Sequence, residues 1–161
     1  MRDGKVSSPW KLEEFEFLPG VKRILEKFKE IGFLNIIFTN QPDVKRGFLK
    51  SEELEKMHQL IAKNLPIEEI KACPHDDSDN CSCRKPKPGL ILEAAREYSI
   101  DLAHSYVIGD NWKDIGAGKA AGCKIFLIKT GYNKNIQEGY DFVVDNLSET
   151  IKIIKKLSKE I

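Results

Sequence analysis

The chain has 161 residues, enough for one domain with a single core, and 41% of them are hydrophobic against 32% charged. Its 26 lysines and arginines face 25 acidic residues, and the net charge of +1 excludes an extended nucleic-acid surface while leaving room for a local basic pocket that binds phosphate. No apolar run is long enough to span a bilayer, and the opening MRDGKVSS has no hydrophobic signal core, so the expectation is a cytoplasmic protein with no membrane partner.

In chain order, residues 4–17 read as irregular, with Trp10, Phe15 and Phe17 expected to pack on the body. Val21, Ile24, Leu25, Phe28 and Ile31 fall at helical spacing, and Gly32 follows as a C-terminal cap. Residues 34–39 (LNIIFT) suit a strand buried on both faces. Ser51 is placed to cap a second helix with Leu54, Met57, His58 and Ile61 on one face. A strand over 67–72 leads into a cysteine-rich loop, and a helix over 90–98 starts at Pro88 and Gly89. Strands over 106–108, 124–128 and 142–144 flank a small-residue helix over 114–121. A last helix starts near Asn146 and buries Leu147, Ile151, Ile154 and Leu157; its Lys152, Lys155, Lys156 and Lys159 form a solvated face. Strands alternating with helices imply an α/β class, a doubly wound parallel sheet in one domain over 1–161.

The loop over 73–83, CPHDDSDNCSC, has the spacing Cys-x-His-x5-Cys-x-Cys. In a reducing compartment such clustering points to metal rather than disulfides. Cys73, His75, Cys81 and Cys83 supply three thiolates and an imidazole, a closed set that suits a structural tetrahedral zinc. The bland alternative is three buried cysteines with no metal. A nucleic-acid-binding zinc ribbon normally carries two separated Cys-x2-Cys knuckles, which this chain lacks. Cys123 precedes an apolar strand and reads as a core residue.

Four further segments have complementary chemistry: Arg2-Asp3-Gly4, Thr39-Asn40-Gln41, Arg84-Lys85-Pro86 and Gly109-Asp110-Asn111-Trp112-Lys113-Asp114. Two of them end predicted parallel strands, where α/β sheets gather ligands. A hydroxyl and amides can bind phosphate oxygens, a lysine can neutralise them, and aspartates can hold Mg²⁺. Taken singly, Asp110 is equally a helix cap, Thr39-Asn40 an ordinary turn, and Arg84 and Lys85 solvated surface charges.

With these residues in place, the chain resembles the haloacid dehalogenase (HAD) superfamily of phosphatases, and within it the D-glycero-D-manno-heptose 1,7-bisphosphate phosphatase and histidinol-phosphatase group. The likeness rests on Arg2-Asp3-Gly4, FEFLPGV (15–21), FTNQ (38–41), Arg46-Gly47, CSCRKPKPG (81–89) and IGD (108–110). The zinc loop narrows it, because most HAD phosphatases lack one. The resemblance implies a Rossmann-like fold and a monomer that takes a small sugar phosphate. It makes Asp3 the general acid/base, whose carbonyl joins Asp110 in holding Mg²⁺. Thr39 would donate to the transferring phosphoryl group and Lys85 would stabilise its charge. Asn40, Gln41, Arg46 and Arg84 would orient the sugar phosphate, and Asp114 would support either the metal or the nearby lysines.

One position departs from the family. Its nucleophile is an aspartate two residues before the acid/base, and that position here is Met1. A thioether cannot attack phosphorus, so the 161-residue form is expected to be inactive. The family strand that carries this aspartate would bury about five apolar side chains at roughly 1.5–3 kcal/mol each. That sum rivals the stability of a whole domain, so the expectation is a misassigned start ahead of which the strand lies, with a degenerate remnant as the alternative.

Overall fold

The computed structural model describes residues 7–157, so Asp3 and Met1 lie outside the described residues. Two compact units divide the chain, Met1–Cys81 and Ser82–Ile161.

In the first unit, helix α1 (Val21–Glu30) buries Phe28 and ends at Gly32, whose φ of +90° is a left-handed conformation that glycine adopts without strain. Strand β1 spans Ile36–Asn40, two residues later than its apolar run suggests. Asn35 delays the start: its backbone N–H donates to Glu68, and its side-chain amide donates to the carbonyls of Leu25 and Pro66. Nor is β1 sealed on both faces, since all five of its residues are half-buried. A short helix α2 (Pro42–Lys45), which the sequence did not announce, follows at once. Helix α3 (Ser51–Asn64) buries Met57, but its N-cap is Lys50 and no side chain caps it, which corrects the capping role given to Ser51. Strand β2 (Glu69–Cys73) pairs with β1 in parallel, Thr39 opposite Ala72 and Asn40 opposite Cys73. Ahead of α1, Trp10 stacks on Phe48 at 5.1 Å, while Phe15 and Phe17 meet each other edge to face.

In the second unit, helix α4 (Gly89–Tyr98) begins after Pro88, as expected. Strands β3 (Tyr106–Gly109), β4 (Lys124–Ile128) and β5 (Phe142–Val144) form a parallel sheet in the order β3-β4-β5. The central β4 buries Ile125, Phe126 and Leu127 in succession, the mark of a strand covered on both faces. Phe126 stacks on Phe142 at 4.7 Å and meets Tyr106 at 5.7 Å, so one aromatic row ties the three strands together. Helix α5 (Trp112–Ala121) contributes Ile115 to a core with Ile125 and Leu127, and Ile136 and Tyr140 pack against it. The last helix, α6 (Leu147–Leu157), buries Ile151 and Ile154 together with Thr150, whose hydroxyl donates to the carbonyl of Leu147. Leu147 and Leu157 are only half-buried. Among the described residues, β1 pairs with β2 alone and β3 with β4 alone.

Candidate metal and phosphate sites

Parallel pairing carries β1 and β2 to the same end of their sheet, so Thr39, Asn40 and Gln41 come out beside Cys73. The backbone N–H of Gln41 extends the ladder by donating to the Cys73 carbonyl at 2.7 Å. Its side-chain amide lies 3.4 Å from the Thr39 hydroxyl, and its Oε1 is buried with no hydrogen-bond partner among the described residues.

The loop after β2 brings one ligand atom from each of Cys73, His75, Cys81 and Cys83 within 4.8 Å of one another. Cys73 Sγ lies 3.7 Å from Cys81 Sγ and 3.6 Å from His75 Nδ1. A tetrahedron with Zn–S near 2.3 Å and Zn–N near 2.05 Å has edges of about 3.8 Å and about 3.6 Å, so these separations fit zinc and are far too long for a disulfide. The four residues therefore form a cluster suited to a metal, as the spacing predicts. Between the ligands, Asp77–Asp79 make a single 3-10 turn capped by Asp76, and Asn80 takes a left-handed φ of +45°. Asparagine tolerates that conformation better than most residues. Helix α2 also grips this loop. Arg46 sets two nitrogens on the two Asp76 oxygens at 2.7 Å each, and Lys45 pairs with Asp79. The Asp76 hydrogen bond raises the Arg46 pKa above its ordinary value. Arg46, expected to orient substrate, is thus committed to the loop in this structure.

The segment after the last thiolate closes on itself, because Gly89 N–H donates to the Ser82 carbonyl at 3.2 Å. A Cβ on Gly89 would stand 2.3 Å from that same oxygen, so only glycine fits. Arg84 is 7% exposed and the Lys85 side chain 13%, which overturns the reading of both as solvated surface charges. Lys85 Nζ meets Asp114 Oδ1 at 2.7 Å, and Asp114 Oδ2 accepts from Asn111 N–H. Asp114 accordingly serves the lysine. Gly109 makes this possible: a Cβ there would lie 2.4 Å from the Asp114 Cβ and 2.6 Å from its Oδ2.

Asp110 does not cap α5. Asn111 does, by accepting from Lys113 N–H, with Asp114 completing the reciprocal bond. Asp110 is therefore left for another task at the carboxyl end of β3. Residues 129–139, which follow β4, hold it from two sides. The Tyr132 hydroxyl donates to Asp110 Oδ2, and the buried Asn133 amide donates to the carbonyls of Asp110 and Ile128 at 2.8 Å each. Asn133 Oδ1 in turn accepts from Thr130 N–H. Burial and the Asp110 contact push the Tyr132 pKa up to about 12. Sequence reading missed Tyr132 and Asn133 because their significance depends on β3 and β4 ending side by side. The Asp110 carboxylate is a hard oxygen donor suited to Mg²⁺; its other expected companion, the Asp3 carbonyl, lies outside the described residues. Cys123 is half-buried, and burial pushes its thiol pKa up, as fits an unreactive residue.

The HAD-hydrolase-like family model matches residues 82–150. The D-glycero-beta-D-manno-heptose-1,7-bisphosphate 7-phosphatase of Haemophilus influenzae is 30% identical over 98% of this chain and 96% of its own length. This chain belongs to the HAD-like phosphatases. The D-glycero-alpha-D-manno-heptose-1,7-bisphosphate 7-phosphatase of Photorhabdus laumondii is 33% identical over 96% of this chain and 93% of its own length. Among solved structures, the D,D-heptose 1,7-bisphosphate phosphatase from B. bronchiseptica, complexed with magnesium and phosphate, superposes with a TM-score of 0.78 at 28% identity. That match covers 94% of this chain and 89% of the other. The α/β class and the phosphomonoesterase family expected from the motifs are thereby established. No helix among the described residues is long and apolar enough to cross a membrane.

Proposed function

We propose that this protein removes the 7-phosphate of a D-glycero-D-manno-heptose 1,7-bisphosphate in the cytoplasm, as a monomer and with residues 1–161 acting as one HAD-like domain. The observation that carries the reading is the run from Cys83 straight into Arg84 and Lys85: a metal-suited cluster continues into a buried and a largely covered cation, in a chain similar along nearly its whole length to enzymes of that name.

In this reading zinc is structural and fixes the loop that presents the cations. Lys85, held by Asp114, neutralises the transferring phosphoryl group, and the Thr39 hydroxyl donates to it. Asn40, Gln41 and Arg84 orient the sugar phosphate, and Arg46 joins them only by leaving Asp76. Asp3 protonates the leaving alkoxide and then takes a proton from water. Asp110 and the Asp3 carbonyl would hold Mg²⁺, which supplies positive charge against the phosphoryl oxygens. Phosphoryl transfer depends mainly on such positioning and charge compensation. Because Met1 stands where the family nucleophile belongs, we read the 161-residue form as inactive.

The test is phosphate release in the presence of Mg²⁺ from heptose 1,7-bisphosphate and from histidinol phosphate. It compares the 161-residue chain with a form in which Met1 is replaced by an apolar strand ending in aspartate. One equivalent of phosphate from the bisphosphate, only in the extended form, and its loss in Asp3→Asn and Asp110→Asn, are the expected results. Release from histidinol phosphate alone moves the reading to that substrate. No release in either form makes the chain a zinc-stabilised sugar-phosphate-binding domain.

A further inference from the structure

Beside Asp110 lies a cavity of about 380 Å³, formed by the start of α5 and residues 132–138. Its size is at the low end of small-molecule sites, suited to a single sugar rather than a larger ligand. Two aromatic rings line it and are exposed in part: Trp112 is 56% exposed, with Lys113 Nζ over its ring at 5.6 Å from the centroid, and Tyr132 is 49% exposed. Asn135, Gln137 and Glu138, all exposed, add carboxamide and carboxylate groups. Among the described residues, no lysine or arginine lines the cavity.

That composition discriminates between ligands. Glu138 disfavours a phosphate inside the cavity, and the charge of Asp110 is committed to the Mg²⁺ of the proposed function. Hydroxyl groups are a better match, because carboxylates accept from them and carboxamides both accept and donate. The flat rings suit the C–H face of a sugar, which is apolar although its rim is polar. The wall is also set in advance. Tyr132 is fixed by its bond to Asp110, and Asn133 anchors the loop to the ends of both strands, so little ordering is needed when a ligand arrives.

We propose that this cavity is a polyol subsite that holds the uncharged, hydroxylated part of the sugar phosphate, with Trp112 and Tyr132 against its carbon skeleton and Gln137 and Glu138 on its hydroxyls. The inference rests on the sugar-phosphate reading above and gives that site its selectivity for the sugar over the phosphate alone.

The test uses calorimetric titration of the full chain, loaded with Zn²⁺ and Mg²⁺, with D-glycero-D-manno-heptose 1-phosphate and separately with inorganic phosphate. The expected result is tighter binding of the sugar phosphate, and a fall of about tenfold in the ratio of the two affinities in Trp112→Ala and in Gln137→Ala. Both side chains are exposed, so the variants should fold, and circular dichroism checks this. Equal affinities in the wild type, or an unchanged ratio in both variants, would overturn the subsite. Its fate is separable from that of the activity: a chain that releases no phosphate but keeps the sugar preference retains the subsite and loses only the phosphatase reading.

Discussion

Asn133 donates from one side-chain nitrogen to the main-chain oxygen of Asp110 at 2.8 Å, and so ties the end of β3 to the loop after β4. The same nitrogen reaches the Ile128 oxygen, and the residue is 5% exposed, so water has little means of replacing either bond. Buried polar groups left without partners cost about 1–3 kcal/mol. Asn133→Ala is therefore expected to lower unfolding stability by about 2 kcal/mol in urea titration. Asn133→Asp should be at least as damaging at neutral pH, since it sets a carboxylate against two carbonyl oxygens. Wild-type stability in Asn133→Ala would show that the clamp carries no energy.

The Lys85–Asp114 pair is 13% and 11% exposed at its side chains, with 2.7 Å between the charged atoms. Removing one partner of a buried pair strands the other charge and costs roughly 3–5 kcal/mol. Lys85→Met alone is expected to destabilise strongly, whereas Lys85→Met with Asp114→Asn should recover much of the loss. A double-mutant cycle should return a coupling of about 1–3 kcal/mol. Strictly additive effects would mean that the two groups do not depend on each other.

The acidic loop can draw on two kinds of support, a metal held by the cysteine–histidine cluster and the ion pairs from Lys45 and Arg46. Exposed ion pairs contribute little, because solvent screens them and long side chains must be ordered to make them. Structural zinc contributes roughly 10–16 kcal/mol apparent in small peptides at neutral pH. The purified chain should bind one zinc ion, and Cys81→Ser or chelation should remove it with a large fall in the urea midpoint. Lys45→Ala with Arg46→Ala should leave zinc content and midpoint nearly unchanged. The reverse ranking would make the ion pairs the main support.

His58 lies on α3, where burial opposes its charged form and lowers its pKa, an effect partly offset by Glu55. Above the ordinary histidine pKa of about 6.5 the ring is neutral in both folded and unfolded chains, and its contribution is constant. As pH falls below that value the unfolded chain takes the proton first, so stability declines through the folded pKa. His58→Gln should remove this component. Measured by urea denaturation at pH 7.5 and pH 5.0, the variant should gain stability relative to wild type at the lower pH. Parallel pH profiles would exclude His58 as a source of acid sensitivity.

The extent to which the sequence could be read followed how local each signal was. The second unit was clear where apolar runs were short and bounded: the expected strands 124–128 and 142–144 match β4 and β5. The cysteine–histidine cluster is legible because four rare residues within one loop need no tertiary context to be brought together. Failures occurred where a distant partner decides. Asn35 looked like part of a strand but is held by Glu68 and Pro66, and Ser51 had the chemistry of a cap but sits inside the helix. The alternative of solvated surface charges for Arg84 and Lys85 fails because the fold covers both, and the grip of the Arg46 fork on Asp76 depends on a loop 30 residues away. Asp110 is ambiguous by residue type alone, because either it or Asn111 can cap α5 and only the structure shows Asn111 doing so.

The close fit of Gly109 under the Asp114 carboxylate has a consequence for how this protein can change. Any side chain at 109 displaces the group that steadies Lys85, while a shorter residue at 114 clears the space but abandons the lysine. Each single step therefore meets a barrier of its own. Randomising either position alone should return the parental residue, and only libraries that vary 109, 114 and 85 together have a route to another solution.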